Sequence, residues 1–326
     1  MVRISRSYKV LAESPLDVIA FEEYLVNSMR AQSATLLVYV NPPSVIIGRN
    51  QNYWREVSPS CPLPVFRRVS GGGAVYHDEG NVNWALVLPR ALHSQEDELA
   101  LVARSLSDLG IHARPGERGG LFVAMADGET LGKISGTARR FGTHNVLHHG
   151  TLLVRADIGA LKASLGGIRL FEDSSIASVP AYPVNLSRLN PAITIDDVIE
   201  TLSRALAGAS PEIIDLRRTR RAASAPSVDP DLAVGTEYSD LRAQFGAREW
   251  IVDRSPPFSF TVSVGKGRAV VRVQEGKIAA ARPLDASDRP SAELASRIEA
   301  CYSGIRFDFL VPESMEKEQV WMNAPR

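Results

Sequence analysis

The amino-acid sequence predicts an α+β fold, with a mixed or antiparallel sheet flanked by helices. Short apolar runs of strand length stand in groups, and longer segments of helical periodicity separate them. Several of the runs are also joined by turn-forming residues at hairpin spacing rather than by helix-length crossovers.

Taken in order, Met1 to Leu11 alternates Val2 and Ile4 with Arg3 and Ser5 and reads as a strand. Ser14-Pro15 followed by Asp17 marks a helix start, with a capping hydroxyl, proline at the first helical position and an acid in the first turn. Phe21, Leu25 and Met29 then recur at i, i+4, a buried stripe on a helix of roughly four turns. Thr35 to Val40, Val45 to Gly48 and Val65 to Arg68 read as strands, as does Val82 to Leu88. Leu99, Val102 and Leu106 give a helix over 97–109 that Gly110 closes, and Asp127-Gly128 turns the chain from Leu121-Phe122-Val123 toward Lys133. A further helix spans 196–207 on Val198, Ile199, Leu202 and Leu206. Residues 217–235 open with Arg217-Arg218-Thr219-Arg220-Arg221 and read as a surface loop, with a partner-binding basic patch as the alternative. Beyond Trp250, alternating Phe258, Phe260, Val262 and Val264 turn at Gly265-Lys266-Gly267 into Ala269 to Val273, a hairpin followed by a helix near 291–302. The predicted layout is a large domain over 1–246 and a small α+β domain over 247–326.

Bulk properties exclude several classes. The 37 basic and 37 acidic residues balance, so nothing marks a general nucleic-acid binder. No apolar run approaches the ~20 residues of a membrane span, and the N-terminus lacks the apolar core of a secretory signal. The expected location is the cytoplasm, or the mitochondrion in a eukaryote. Two cysteines, Cys61 and Cys301, make neither a disulfide framework nor a metal site.

The most informative stretch is Arg67-Arg68-Val69-Ser70-Gly71-Gly72-Gly73-Ala74-Val75-Tyr76-His77-Asp78, followed by Gly80-Asn81 and Asn83. Consecutive glycines are costly to order and worth having where backbone must approach a ligand closely. Bare amides beside a guanidinium suit a phosphate or carboxylate. A flexible turn is the alternative for the glycines alone.

This stretch resembles the signature of the lipoate-protein ligase family. Ser44-Val45-Ile46-Ile47-Gly48-Arg49-Asn50-Gln51-Asn52 upstream, and Lys133-Ile134-Ser135-Gly136-Thr137-Ala138-Arg139-Arg140 with His148-His149-Gly150-Thr151-Leu152-Leu153 downstream, are similar to further family segments in the same order. The resemblance implies a biotin/lipoate ligase-like catalytic domain. It implies two reactions: lipoate attacks the α-phosphate of ATP to give lipoyl-AMP and pyrophosphate, and a carrier-domain lysine then takes the lipoyl group. The implied cofactors are ATP and Mg²⁺, and the implied partners are the lipoyl carrier domains of E2 subunits and of the glycine cleavage H protein.

By the same resemblance Lys133 is the catalytic residue, against the alternative of a solvated strand-end lysine. Arg68 would grip phosphate. Gly71, Gly72, Gly73 and Ala74 would line the acyl chain and adenylate, and Val75 and Tyr76 would flank adenine, with Val75 in the core as the alternative. Ser70 and Arg140 match positions near the acyl group, and Ser135 accompanies Lys133. His77, Asp78 and Asn81 are expected to brace the loop, and His149 to border the lipoyl pocket or to be a satisfied strand histidine. Arg67, on the other face of its strand, is expected at the surface or in a salt bridge.

One departure stands out: the family commonly has Arg-Asn-Asp before the Lys133 hairpin, where this chain has Arg118-Gly119-Gly120 and then twelve residues before Lys133. If that acid helps to place Mg²⁺ or the ATP phosphates, adenylation is impaired here. A lipoyl or octanoyl transferase without its own adenylation step is therefore the alternative function. Cysteine-dependent transfer is not expected, because neither cysteine follows His149 within the catalytic domain.

Overall fold

The computed structural model describes residues 4–29, 33–116, 119–125, 128, 131–217 and 236–307. In chain order the elements are β1 (Ile4–Leu11), α1 (Pro15–Ser28), β2 (Ala34–Val40), β3 (Ser44–Ile47), α2 (Tyr53–Glu56), β4 (Val65–Arg67), β5 (Val75–His77), β6 (Asn81–Pro89) and α3 (Gln95–Ser107). They continue with β7 (Arg114–Pro115), β8 (Leu121–Ala124), β9 (Leu131–Ser135), β10 (Thr137–Phe141), β11 (Asn145–Leu153), α4 (Ile158–Ser164), α5 (Ile195–Ala207) and β12 (Glu212–Asp215). The last are α6 (Thr236–Gly246), β13 (Phe258–Val264), β14 (Gly267–Gln274), β15 (Lys277–Pro283) and α7 (Arg289–Tyr302).

The chain divides into two compact units. The first takes the described residues of Met1–Arg49, Leu63–Leu161 and Val179–Gly246. Its main sheet runs β10-β11-β6-β2-β1-β12, with β1 parallel to both neighbours and the other pairs antiparallel. The fold is thus mixed α+β. Strand side chains alternate between faces, and this decides where the core and the site lie. Leu36 and Val38 of β2, Val82, Trp84, Leu86 and Leu88 of β6, and Val146 and Leu152 of β11 form one core with α3 and α5. The residues between them lie on the opposite face, where apolar Leu37, Ala85, Val87 and Leu147 stand beside Tyr39, Asn81, Asn83, His149 and Thr151, all 7% exposed or less, and Tyr39 and His149 there reach Glu22 of α1. Helix α1 starts as expected, with a complete capping box between Ser14 and Asp17.

Two small sheets in this unit carry the motifs. In β4-β3-β5, β3 pairs parallel with β4 and antiparallel with β5, so the glycine loop joins the two outer strands. The far flank of the loop is therefore Val75–His77, a strand that precedes the Val82 run. In β7-β8-β9, β8 and β9 form the expected hairpin leading to Lys133, whose turn residue Asp127 lies outside the described residues.

The second unit takes the described residues of Asn50–Pro62, Lys162–Ser178 and Ala247–Arg326. Its antiparallel β13-β14-β15 sheet packs on α7 through Phe258, Val271, Leu294 and Ile298. Trp54 of α2 stacks on Phe258 with ring centroids 4.9 Å apart, so the segment around α2 enters this core from far upstream. Strand β15, helix α6 and strand β12 had no clear sequence signal.

Candidate active site

The glycine loop is built from its arginine outward. The Arg68 side chain is buried at 6% exposure. Its Nε donates to Ser70 Oγ (2.9 Å), Nη1 to the Ile46 carbonyl (3.2 Å), and Nη2 to the carbonyls of Gly71 and of Gly73 (2.8 Å). Burial lowers its pKa to about 10, with Glu22 and Tyr39 acting the other way, so it remains charged at pH 7. The guanidinium is thus turned onto its own loop. Arg68 gathers the carbonyls inward, and the N–H groups of Gly71, Gly72 and Gly73 find no acceptor among the described residues. Successive free amides around a glycine of positive φ (Gly72, +83°) make a seat for an anionic group.

The loop lies close against its supports. A Cβ on Gly48 would stand 2.2 Å from the Gly72 carbonyl oxygen. Gly72 in turn lies against Ala138 and the Thr137 carbonyl, where its own Cβ would be 3.5 and 3.7 Å away. Arg67, expected at the surface, is fully buried and donates to the carbonyls of Gly48 (3.1 Å) and Arg49 (3.2 Å). The two arginines therefore hold the loop and its floor together.

Lys133 reaches the same neighbourhood from β9. Its backbone is fixed by the Tyr182 carbonyl (2.7 Å) and the Val184 amide (3.0 Å). A Cβ on Gly136 would lie 3.6 Å from Val75 Cγ1 and 3.9 Å from Lys133 Nζ, so the glycine lets the end of the loop and the ammonium share one small space. Burial lowers the Lys133 pKa, and the ammonium has no ion-pair or hydrogen-bond partner among the described residues. Gly120, at the position of the missing family carboxylate, packs on the Ser135 carbonyl, and its Cβ would lie 3.5 Å from Lys133 Cε. An acidic side chain there would face this ammonium; the glycine leaves the charge uncompensated. Arg118 lies outside the described residues.

The remaining sequence candidates fall into three groups. Ser70 Oγ lies 2.7 Å from His149 Nε2, and His149 Nδ1 lies 3.0 Å from Glu22 of α1, to which Tyr39 also donates (2.8 Å). Arg140 donates to Glu23 at 2.9 Å, and the Ser135 hydroxyl is buried with no hydrogen-bond partner among the described residues. The last group braces the loop. Asn41 Nδ2 meets His77 Nδ1 at 3.0 Å, and burial, with Arg68 and His149 nearby, lowers the His77 pKa to about 3, so this imidazole is neutral. Asp78 accepts from Gly80 (2.9 Å) and Asp157 (2.7 Å), and Asn81 donates to Asn83 (3.0 Å). Tyr76 is 3% exposed, and burial together with Asp78 raises its pKa to about 12. Ala74 continues the loop into Val75, which faces Gly136.

Sequence reasoning missed Glu22, Tyr39 and Gly48 as members of the site. The one signal for Glu22 was a pair of acids, Glu22-Glu23, set beside the apolar stripe of α1. Neither cysteine joins the group: Cys61 belongs to the second unit, and Cys301 is exposed on α7.

A model of the lipoyl protein ligase A/B catalytic domain matches residues 14–207, a span that holds every one of these residues. The chain belongs to this family. Among solved structures, P. falciparum LipL1 in complex with lipoate is 20% identical with TM-score 0.59, covering 84% of this chain and 83% of that one. The bipartite lipoate protein ligase of Thermoplasma acidophilum, solved with its E2 lipoyl domain, is 22% identical with TM-score 0.57, covering 76% and 96%. Lipoate-protein ligase A bound with ATP is 23% identical with TM-score 0.54, covering 75% and 98%. The likeness to these lipoate ligases is one of fold.

Proposed function

We propose that this family member is an ATP-dependent lipoate–protein ligase. It activates lipoate to lipoyl-AMP with release of pyrophosphate, then passes the lipoyl group to a lysine of a lipoyl carrier domain. One observation carries the reading: Val75, at the end of the glycine loop, and the half-buried Lys133 ammonium share the space at Gly136, and among the described residues neither that ammonium nor the Gly71–Gly73 amides have a partner. Gly72 is exposed and Gly71 and Gly73 are half-buried, so a ligand can reach these amides from solvent, and an acyl-phosphate supplies an anionic partner both to them and to the ammonium. Both half-reactions develop negative charge on that unit, and fixed donors aimed at it are the largest contribution such a site can make. We assign the chemistry to residues 1–246 and an accessory role to 247–326.

The roles follow the geometry. Gly71–Gly73 hold phosphate or carboxylate oxygens through backbone amides, and Lys133 bears on the acyl-phosphate. Ser70, Arg140 and His149 stand on the acyl side, and Ala74, Val75 and Tyr76 lead toward the nucleotide base. His77 and Asn81 keep β5 and β6 in place. The carriers suited to the second step are lipoyl domains of E2 subunits and the glycine cleavage H protein. Among the described residues no cluster of three acidic, histidine or cysteine side chains could hold a metal ion, so a Mg²⁺ would be held chiefly by the ATP phosphates and water.

Gly119-Gly120 favours a second reading, transfer of a lipoyl or octanoyl group from a pre-activated or carrier-bound donor. Lipoate-dependent ATP–pyrophosphate exchange separates the two. Exchange supports the ligase. No exchange, alongside normal transfer from synthetic lipoyl-AMP, discards adenylation and leaves the transferase.

A further inference from the structure

The glycine loop is tied to helix α1 by a chain of hydrogen bonds whose direction the structure fixes from one end. Glu22 is 1% exposed, and a carboxylate only accepts. Tyr39 takes one position on it at 2.8 Å, and His149 Nδ1 takes another, 3.0 Å from Oε2 and 3.2 Å from Oε1. The proton shared with His149 therefore resides on Nδ1, and in the singly protonated ring Nε2 is then an acceptor. The group there is the Ser70 hydroxyl at 2.7 Å, so Ser70 donates to it. A lone pair of Ser70 Oγ then receives Arg68 Nε–H at 2.9 Å. The same guanidinium draws in the Gly71 and Gly73 carbonyls.

We propose that Glu22 is a positioning residue for the Gly71–Gly73 amides, acting through the one-way chain from Arg68 to Ser70, His149 and Glu22; this rests on the reading of the loop as the seat of the reacting anion. Each link is buried, so the bonds polarise one another and none is replaced cheaply by water. The carboxylate sets the imidazole tautomer, the tautomer sets the serine rotor, and the serine orients the arginine that turns the loop carbonyls inward. With the charge removed, His149 can place its proton on Nε2, and the Ser70 oxygen then accepts from both His149 and Arg68 while its own proton turns away, which shifts and weakens the hold on the Arg68 Nε–H. The amides then lose their common aim, although nothing next to the reacting atoms has been altered.

The full-length protein with ¹⁵N-labelled histidine, assigned through His149→Gln, tests this by nitrogen chemical shifts. Wild type is expected to show neutral His149 with its proton on Nδ1. In Glu22→Gln that signature is lost, the Gly71–Gly73 amide resonances shift, and lipoate-dependent exchange falls about ten- to a hundredfold, the scale of one buried hydrogen bond to a charged group. Glu22→Asp restores the Nδ1–H tautomer and part of the rate. Should Glu22→Gln fail to fold, Ser70→Ala cuts the chain with the carboxylate kept and shifts the same glycine amides. A proton on Nε2 or a charged imidazole in wild type, or glycine amides indifferent to both substitutions, overturns the proposal. Absence of exchange in wild type, with tautomer and amide responses intact, overturns the nucleotide reading and leaves the relay standing.

Discussion

His148 and His149 are neighbours on β11, yet their imidazoles bind carboxylates on opposite faces of the sheet. His149 Nδ1 meets Glu22 of α1 at 3.0 Å, while His148 Nδ1 meets Glu98 of α3 at 2.5 Å. Strand alternation sends one histidine to the site and the other into the α3–α5 side. There it stands edge-on to Trp84 with centroids 5.1 Å apart, and its carboxylate partner also accepts from the Ser94 amide (2.9 Å). One dipeptide thus serves the functional face and the structural face.

The buried His148–Glu98 pair makes stability fall on acidification. Burial lowers the His148 pKa from 6.5, against the opposing pull of Glu98. The unfolded chain therefore binds the proton first, and stability is lost as pH drops below that ordinary value. Burial alone would raise the Glu98 pKa, but the His148 hydrogen bond and charge bring it below 4.5, so a second loss follows at lower pH as this acid protonates. Urea unfolding between pH 7.5 and 4.5 should give a decreasing free energy, with a shallower slope in His148→Asn. A wild-type slope that is flat, or that rises on acidification, contradicts this.

Lys133→Ala should remove both half-reactions and leave the fold intact, with about 3–4 kcal/mol of lost stabilisation in each, the scale of deleting one oxyanion donor. Lys133→Arg should rescue poorly, because a planar fork does not replace a point charge in a tight site. Since burial lowers the lysine pKa, the alkaline limb of activity should begin below the ordinary lysine value of 10.5. Lipoylation with ATP plus lipoate, and separately with lipoyl-AMP, measures it; more than about a tenth of the wild-type rate in either assay, a loss under ~1.4 kcal/mol, fails the assignment.

Gly48→Ala and Gly71→Ala should behave differently. The first puts a methyl 2.2 Å from the Gly72 carbonyl oxygen, whereas a methyl on Gly71 meets nothing within 4 Å. Gly48→Ala is expected to lower stability by roughly 1–3 kcal/mol, as overpacking does, and to abolish exchange by displacing the loop. Gly71→Ala should unfold within about 0.5 kcal/mol of wild type. Thermal unfolding with activity assays decides, and equal Tm losses in the two variants would count against the packing argument.

Cys61→Ser combined with Cys301→Ser should retain most of the activity, because neither thiol lies among the site residues. Intact-mass detection of a thioester-linked lipoyl-enzyme that disappears in Cys61→Ser would reverse this.

By itself the sequence determined the elements whose physics is local. The capped start of α1, the β8–β9 and β13–β14 hairpins and the helices α3, α5 and α7 follow from caps, turns and periodicity within short windows. It also determined the ordered motifs around Gly71–Gly73, Lys133 and His149. Tertiary structure alone decided what those residues do to one another. Arg68 is turned onto its own loop because its acceptors include the Ile46 carbonyl, on a strand that pairs with the one just before it. Arg67 is buried because β4 lies against β3, bringing the Gly48 and Arg49 carbonyls to its guanidinium. Glu22 enters the site only when α1 packs on the sheet face that carries His149, 127 residues away in sequence. Such contacts depend on which strand pairs with which and in what register, and no local pattern of residue types encodes that choice.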